Sequence, residues 1–277
     1  MAFVDYLHTP SFSSPIMIMA FEGWNDAGDA ASSAAEYIAE QCGATVFARL
    51  DPEPFYDFQQ SRPMVRISDT QRVIDWPENT FSHGSLNGRQ LIILRGIEPQ
   101  LRWRTYSETI RDLAIAAGVE MVVSLGALIA DVAHTRPATI YGSAMNPELR
   151  DRLDLEPSTY EGPTGIVGVV HTTTHDANLD SVSLWGAVPS YVPHAQSPKV
   201  AKALVERVSK LLGLPIPLHD LSQAADEYVR QIDMMIADDD DMAEYVSNLE
   251  TEYDAAMNSG SGNELIAKIE EFLKDQK

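Results

Sequence analysis

The sequence predicts an α/β protein, a three-layer fold in which a mixed β-sheet is flanked by helices and followed by an acidic helical extension. Three observations carry this. Ile16-Met17-Ile18-Met19-Ala20-Phe21 is a short uninterrupted apolar run, the pattern of a strand buried on both faces. Runs of this kind alternate with helical stripes along most of the chain. Asn87-Gly88, the strongest short hairpin signal, stands directly before the apolar run Arg89 to Leu94, so antiparallel pairing must join the sheet as well.

Each element has its own warrant. After the first run comes a turn with Gly23, Asn25 and Asp26, then Ala27, Ala30, Ala31, Ala34, Ala35, Ile38 and Ala39 at helical spacing. Such small residues let a helix lie close against a sheet. Gly43 stops this helix and Ala44 to Leu50 reads as the next strand, so a parallel strand–helix–strand pairing is expected here. Val65 to Ile67 and Arg72 to Trp76 are short and rich in β-branched residues. A helix is predicted over 105–117, stopped by Gly118, then a strand over 120–125 that runs into Gly126 and a long loop through His134, Arg136 and Pro137. Thr139 to Ser143, a short helix over 147–152, a helix over 165–178, a strand over 181–188 and a helix over 197–212 complete the core.

Charge divides the chain into an expected core domain, residues 1–215, and an acidic helical extension, residues 216–277. The 277 residues carry 41 acids and 20 bases, a formal charge of -21, and -12 of it falls in the extension. Three amphipathic stripes are legible there. One holds Leu221 to Ile236, one Met242 to Tyr253, and one Leu265, Ile266, Ile269, Phe272 and Leu273 after the Ser259-Gly260-Ser261-Gly262 link. So acidic a chain repels phosphate backbones and anionic lipid, which argues against a nucleic-acid or membrane-surface role. A hydrophobic fraction of 44 % suffices for a core. One cysteine, Cys42, leaves no internal disulfide framework, and the first ten residues hold Asp5 but no Lys or Arg, so a cytoplasmic location is expected.

The candidate site residues lie where α/β proteins bind ligands, at the ends of strands and at helix N-termini. Glu22, Gly23, Trp24, Asn25 and Asp26 follow the first strand; Gly162, Thr164 and Gly165 open a helix, with Thr164 as its natural N-cap; His134 and Arg136 occupy the loop after Gly126. Together they outline a hypothetical crevice for a nucleoside-like or carboxylate ligand. Structural duties, namely caps, turns and loop ties, are the favoured account of the same residues. No dinucleotide fingerprint, phosphate-binding loop or nucleophile elbow is present, and no catalytic residue is assigned. His171 and His175, four apart, could face a metal from one helix side, but the glutamate of a metalloprotease helix is missing because residue 172 is Thr. His194 follows a strand end. Asp238-Asp239-Asp240-Asp241 lacks the spacing of a calcium loop, and Asp241 with Glu244 three residues later reads instead as a capping box-like start of the second tail helix. Neither a cofactor nor a metal is expected.

Phe21-Glu22-Gly23-Trp24-Asn25-Asp26-Ala27-Gly28-Asp29-Ala30 resembles the opening motif of the proteasome assembly chaperone 2 family, bacterial branch. Gly126-Ala127-Leu128 with Asp131 to Pro137, Gly162 to Gly168, and Leu184-Trp185 with Val188-Pro189 and Tyr191 extend the resemblance over about residues 15–257. It implies a nucleoside-phosphorylase-like core assembled into homo-oligomers, with a trimer as the leading expectation. It also implies a non-catalytic protein-binding or assembly role toward a partner related to proteasome subunits. The ending Lys274-Asp275-Gln276-Lys277 does not match the hydrophobic–Tyr–X tail by which some archaeal members dock. A small-molecule-binding enzyme or sensor that uses the crevice is the alternative.

Overall fold

The computed structural model describes residues 2–158 and 160–259. A short strand β1 (Val4–Tyr6) precedes β2 (Ile16–Glu22), in which every residue from Ile16 to Phe21 is buried. A 3-10 turn (Ala27–Asp29), with Gly28 at φ +57°, leads into α1 (Ala30–Gln41). Four alanines and Ile38 of α1 are wholly buried, as the stripe requires. Next come β3 (Thr45–Leu50), a separate hairpin of β4 (Met64–Ser68) and β5 (Gln71–Asp75), and a second hairpin of β6 (Asn79–Leu86) and β7 (Arg89–Ile97). Asn87 and Gly88 both take positive φ, the mirror-image turn that matches strand twist. The chain continues through α2 (Trp103–Ala116), β8 (Met121–Ala130), β9 (Ile140–Ala144), α3 (Pro147–Leu153), α4 (Ile166–Asp176), β10 (Asp180–Pro189), α5 (Pro198–Leu212), α6 (His219–Ile236) and α7 (Asp240–Ser259).

Eight strands form one mixed sheet in the order β1-β3-β6-β7-β2-β8-β10-β9, flanked by helices. β2 pairs in parallel with β7 and β8, whereas β3, β6 and β7 pair antiparallel in turn. The expected parallel contact between the first and second predicted strands is therefore not made. β2 and β3 point the same way, but the β6–β7 hairpin is inserted between them, because a hairpin inserts as a unit without a crossover. β8 is also longer than predicted. Gly126 does not end it: a Cβ at Gly126 would lie 2.6 Å from the Trp185 ring, so the glycine serves a close approach within the sheet. β1 and β6 have no counterpart in the sequence reading. β1 has three residues, two of them exposed, and β6 carries Ser82, His83 and Gly84 where an alternating pattern would be needed.

The described residues gather into two units. One is drawn from residues 2–25, 35–124 and 164–182, the other from 26–34, 125–158, 160–163 and 183–259. In the first, the buried β2 and β7 and the pair α2 and α4 carry the core. In the second, α6 packs on α5 and buries Ala225, Tyr228 and Ile232, with Val192 in the same cluster. Fully burying a side chain such as Ile232 contributes on the order of 1.5–3 kcal/mol. The first two predicted tail helices are thus α6 and α7. The third, with Leu265 to Leu273, lies outside the described residues. No helix among the described residues is long and apolar enough to cross a membrane.

Candidate functional site

The two loop motifs of the first unit meet around a residue that the sequence reading passed over, Glu98. It follows β7, and its amide donates to Glu22 O at 2.9 Å, which carries the parallel pairing one step past the strand. Its Oε1 accepts from Asn25 Nδ2 at 2.7 Å and from Ile166 N at 2.8 Å, the first amide of α4. The partial positive charge of a helix N-terminus favours an anion. Here the chain's own carboxylate supplies it. Thr164 is accordingly not the cap: Gly165 occupies that position without a side-chain bond, and Glu98 reaches in from another segment. A carboxylate accepting from two segments is a tertiary device, and its only sequence trace is an acid just past a strand end.

Asn25 is wholly buried, and its Oδ1 has no hydrogen-bond partner among the described residues. Gly165 is a glycine for a local reason, since a Cβ there would overlap the Asn25 amide. Gly23 takes φ +119°, with Glu98 Cβ 3.4 Å from where its own Cβ would be. Trp24 is 61 % exposed beside the buried Asn25, and Glu22, Gly23, Gly162 and Thr164 are exposed. Nearby, the Tyr56 hydroxyl donates to Ile97 O at 2.5 Å and accepts from Asn79 Nδ2. Burial pushes the Tyr56 and Tyr106 phenols well above their ordinary range, so both remain protonated.

In the second unit Asp26 caps α1. Its Oδ1 accepts from Ala31 N at 2.7 Å and Ser32 N at 3.2 Å. Burial raises its pKa, and the bonds from Ser32 and Ala31 oppose that rise. Gly28 lies under α5: its carbonyl accepts from Ser197 N at 2.8 Å, and a Cβ would come within 2.9 Å of Ala195 O.

His134 and Arg136, on the loop after β8, are held by the tail helices. The His134 ring is buried between Tyr191 and Asp233, with Nδ1 2.8 Å from the Tyr191 hydroxyl and Nε2 3.0 Å from Asp233 Oδ1. The carboxylate only accepts, so the proton sits on Nε2 and Nδ1 accepts from Tyr191, whose hydroxyl also accepts from His134 N at 2.8 Å. Burial raises the Tyr191 phenol far above its usual value, so the hydroxyl stays protonated and able to donate to the His134 ring. Arg136 forms a fork with Asp254 at 2.9 and 2.7 Å and reaches Glu250 at 3.2 Å. Lys199, its pKa lowered by burial, donates to the His134 and Arg136 carbonyls. Tyr245 of α7 donates to Asp131 at 2.8 Å.

The candidate residues thus fall into two groups. Asn25, Gly165 and the unforeseen Glu98 belong to the first unit; Asp26, His134 and Arg136 belong to the second. His171 is buried with Nδ1 2.7 Å from Ser181 Oγ, and burial lowers its pKa to about 4. His175 is half-buried and His194 exposed. Among the described residues no group of three or more His, Cys, Asp or Glu is placed to hold a metal. The cap of α7 also differs from expectation. Asp239 Oδ1 accepts from Met242 N at 3.0 Å, so the helix starts two residues earlier than the Asp241–Glu244 box implies.

Comparison with known proteins agrees with this picture. The PAC2 family model matches residues 20–236. A PAC2 family protein from Streptomyces avermitilis is 43 % identical; the match covers 84 % of this chain and 99 % of that one, with a TM-score of 0.80. A Mycobacterium tuberculosis proteasome-assembly chaperone homologue is 39 % identical over 83 % of this chain and 99 % of its own, at a TM-score of 0.77. An archaeal homologue of proteasome-assembly chaperone from Pyrococcus furiosus, 20 % identical over 91 % and 98 %, shares the fold at a TM-score of 0.62. No curated protein matches the chain.

Proposed function

The chain belongs to the PAC2 family, and on that premise we propose that it is a non-catalytic, homo-oligomeric protein-binding factor of the proteasome-assembly-chaperone type. One observation of the structure carries the reading. The polar residues a reaction would call on are engaged in holding the chain together, while large apolar side chains stand on its surface. Glu98 caps α4, Asp26 caps α1, and His134 and Arg136 anchor tail helices. Met64, Ile67, Met234 and Met235 are each 66–71 % exposed. Where exposed apolar groups gather, as Val65, Ile67 and Ile74 do on one face of β4–β5 and Met234 and Met235 do at the end of α6, they fit a surface for protein contact. The partner in this reading is a protein related to proteasome subunits, met in the cytoplasm. The test mixes the purified chain with purified proteasome α-type subunits and follows complex formation by sedimentation velocity. A defined complex, together with a faster rate of subunit assembly, is expected. Absence of both at micromolar concentrations would sink the proposal.

A second reading has one observation behind it, the wholly buried Asn25 Oδ1 without a partner beside the N-terminus of α4. A nucleoside-like or carboxylate ligand presenting a donor there would use Glu22, Gly23, Trp24, Thr164 and Gly165 around it. Thermal-shift screening with nucleosides and small carboxylates discriminates, since a ligand selective for the folded state raises its melting temperature. An Asn25→Ala variant should lose any such shift; a shift that survives would place the ligand elsewhere.

A further inference from the structure

The β4–β5 hairpin is unusual in having no buried residue on either face. Its register sets Val65 opposite Ile74 and Ile67 opposite Arg72, so these four share a face that Trp76 extends. Val65, Ile67, Ile74 and Trp76 are 46 %, 71 %, 49 % and 49 % exposed. Trp76 packs on Phe58 with ring centroids 4.8 Å apart, which anchors the base of the hairpin, while among the described residues the rest of that face is about half or more exposed. Arg66 is paired with Asp75 at 2.6 Å, whereas Arg72 makes no ion pair among the described residues. A two-stranded ribbon is marginal in water unless a further surface covers its apolar side.

A second exposed patch has the complementary chemistry. Met234 and Met235, 66 % and 69 % exposed, end α6 directly before Asp238-Asp239-Asp240-Asp241, all exposed at the start of α7. Methionine is a deformable apolar surface suited to accept varied side chains. Residues 62–76 are net +1 in a chain of -21. Charge therefore steers the hairpin toward an acidic partner, and a second copy of this chain is one. Hairpin-to-hairpin pairing would instead bring Arg72 toward its own symmetry mate.

We infer that the Val65–Ile67–Ile74–Trp76 face of one copy, guided by Arg72, docks on the Met234–Met235 and Asp238–Asp241 patch of a second copy. The inference rests on the homo-oligomeric reading above and specifies the contact that makes it. Two different patches meet, so the contact is either exchanged reciprocally in a two-fold dimer or repeated from copy to copy in a ring or chain. Two strands of five residues present a footprint of about 170 Å². That is small beside the ~800 Å² per partner of a stable complex, so association depends on concentration.

The test is sedimentation velocity of the full chain over a concentration series, with circular dichroism to show that each variant is folded. Arg72→Glu should weaken self-association by about tenfold or more, as should Asp240→Arg with Asp241→Arg. Combining all three substitutions in one chain restores opposite charges across the contact and should restore association. Arg72→Glu that associates like the parent, or a combined variant that stays dissociated, overturns the docking site while leaving the oligomeric reading intact. A parent chain monomeric at every concentration overturns both. Ile67→Asp supplies a charge-independent check, since an unaltered oligomer in that variant also removes the hairpin from the contact.

Discussion

Replacing Gly165 by alanine isolates the junction between the two loop motifs of the first unit. Gly165 has φ -92° and ψ -177°, an extended conformation that alanine adopts freely, so the backbone itself is not strained. The added methyl overlaps Asn25 Oδ1 and lies 2.7 Å from both Asn25 Cγ and Nδ2. Asn25 is wholly buried and cannot swing aside without giving up its 2.7 Å bond to Glu98. Overpacking costs about 1–3 kcal/mol, and losing a hydrogen bond to a charged group about 1.5–3 kcal/mol. Lower entropy of the unfolded chain offsets about 0.4–1 kcal/mol. The balance is a loss of about 2–5 kcal/mol, read as a fall in melting temperature on the order of 5–15 °C. Denaturant unfolding of the parent, Gly165→Ala, Asn25→Ala and the double variant measures it. Truncating Asn25 makes room for the methyl, so Gly165→Ala in that background should cost less than about 1 kcal/mol. An equal cost in both backgrounds, or no cost in the parent, would refute the close approach.

Other expectations concern pH, capping and the tail helices. The buried His171 titrates near 4 in the folded chain and near 6.5 unfolded, so between these values the unfolded chain binds more protons. Its contribution is therefore complete above about pH 6.5 and falls away toward pH 4, by roughly 3 kcal/mol. His171→Gln should flatten that part of the pH profile of unfolding, and profiles of identical slope would contradict the assignment. Asp26→Ala should destabilise by about 1–2 kcal/mol through loss of the α1 cap, while Asp26→Asn, which keeps the accepting oxygen, should lose much less. Equal losses would mean that charge, not the hydrogen bonds, matters at Asp26. Arg136→Ala should speed amide exchange in α7 with little change in global stability, because its pairs with Asp254 and Glu250 are at the surface. Tyr245→Phe should act the same way through Asp131, and unchanged exchange in both would show that α7 is held by apolar contacts such as Val246 alone.

Periodicity served well wherever burial was simple. The apolar run of β2, the alanine stripe of α1 and the Asn87-Gly88 turn each state their environment in neighbouring residues. It failed where a residue answers to something distant in the chain. Gly126 has the look of a strand end because the Trp185 ring it accommodates is 59 residues away. Thr164 has the look of a cap because Glu98, the real one, lies in another segment. The separation of β2 and β3 by a hairpin is invisible for the same reason, since either order of strands satisfies the same apolar pattern. Among the candidate site residues, Asn25 and Gly165 are indeed neighbours, whereas the bonds of His134 and Arg136 run to tail helices about a hundred residues on.

By itself the sequence determined the fold class, the first two tail helices and the family, since each is written in local composition, spacing or contiguous motif. Only the tertiary structure decided what the motifs are for. Whether a carboxylate, a histidine or an arginine is available to a ligand depends on which partners have already taken its hydrogen bonds, and those partners come from remote segments. It also decided which apolar residues remain uncovered. A hairpin such as β4–β5 reads like any other strand pair until none of its residues is found buried, which no local pattern of apolar residues reveals.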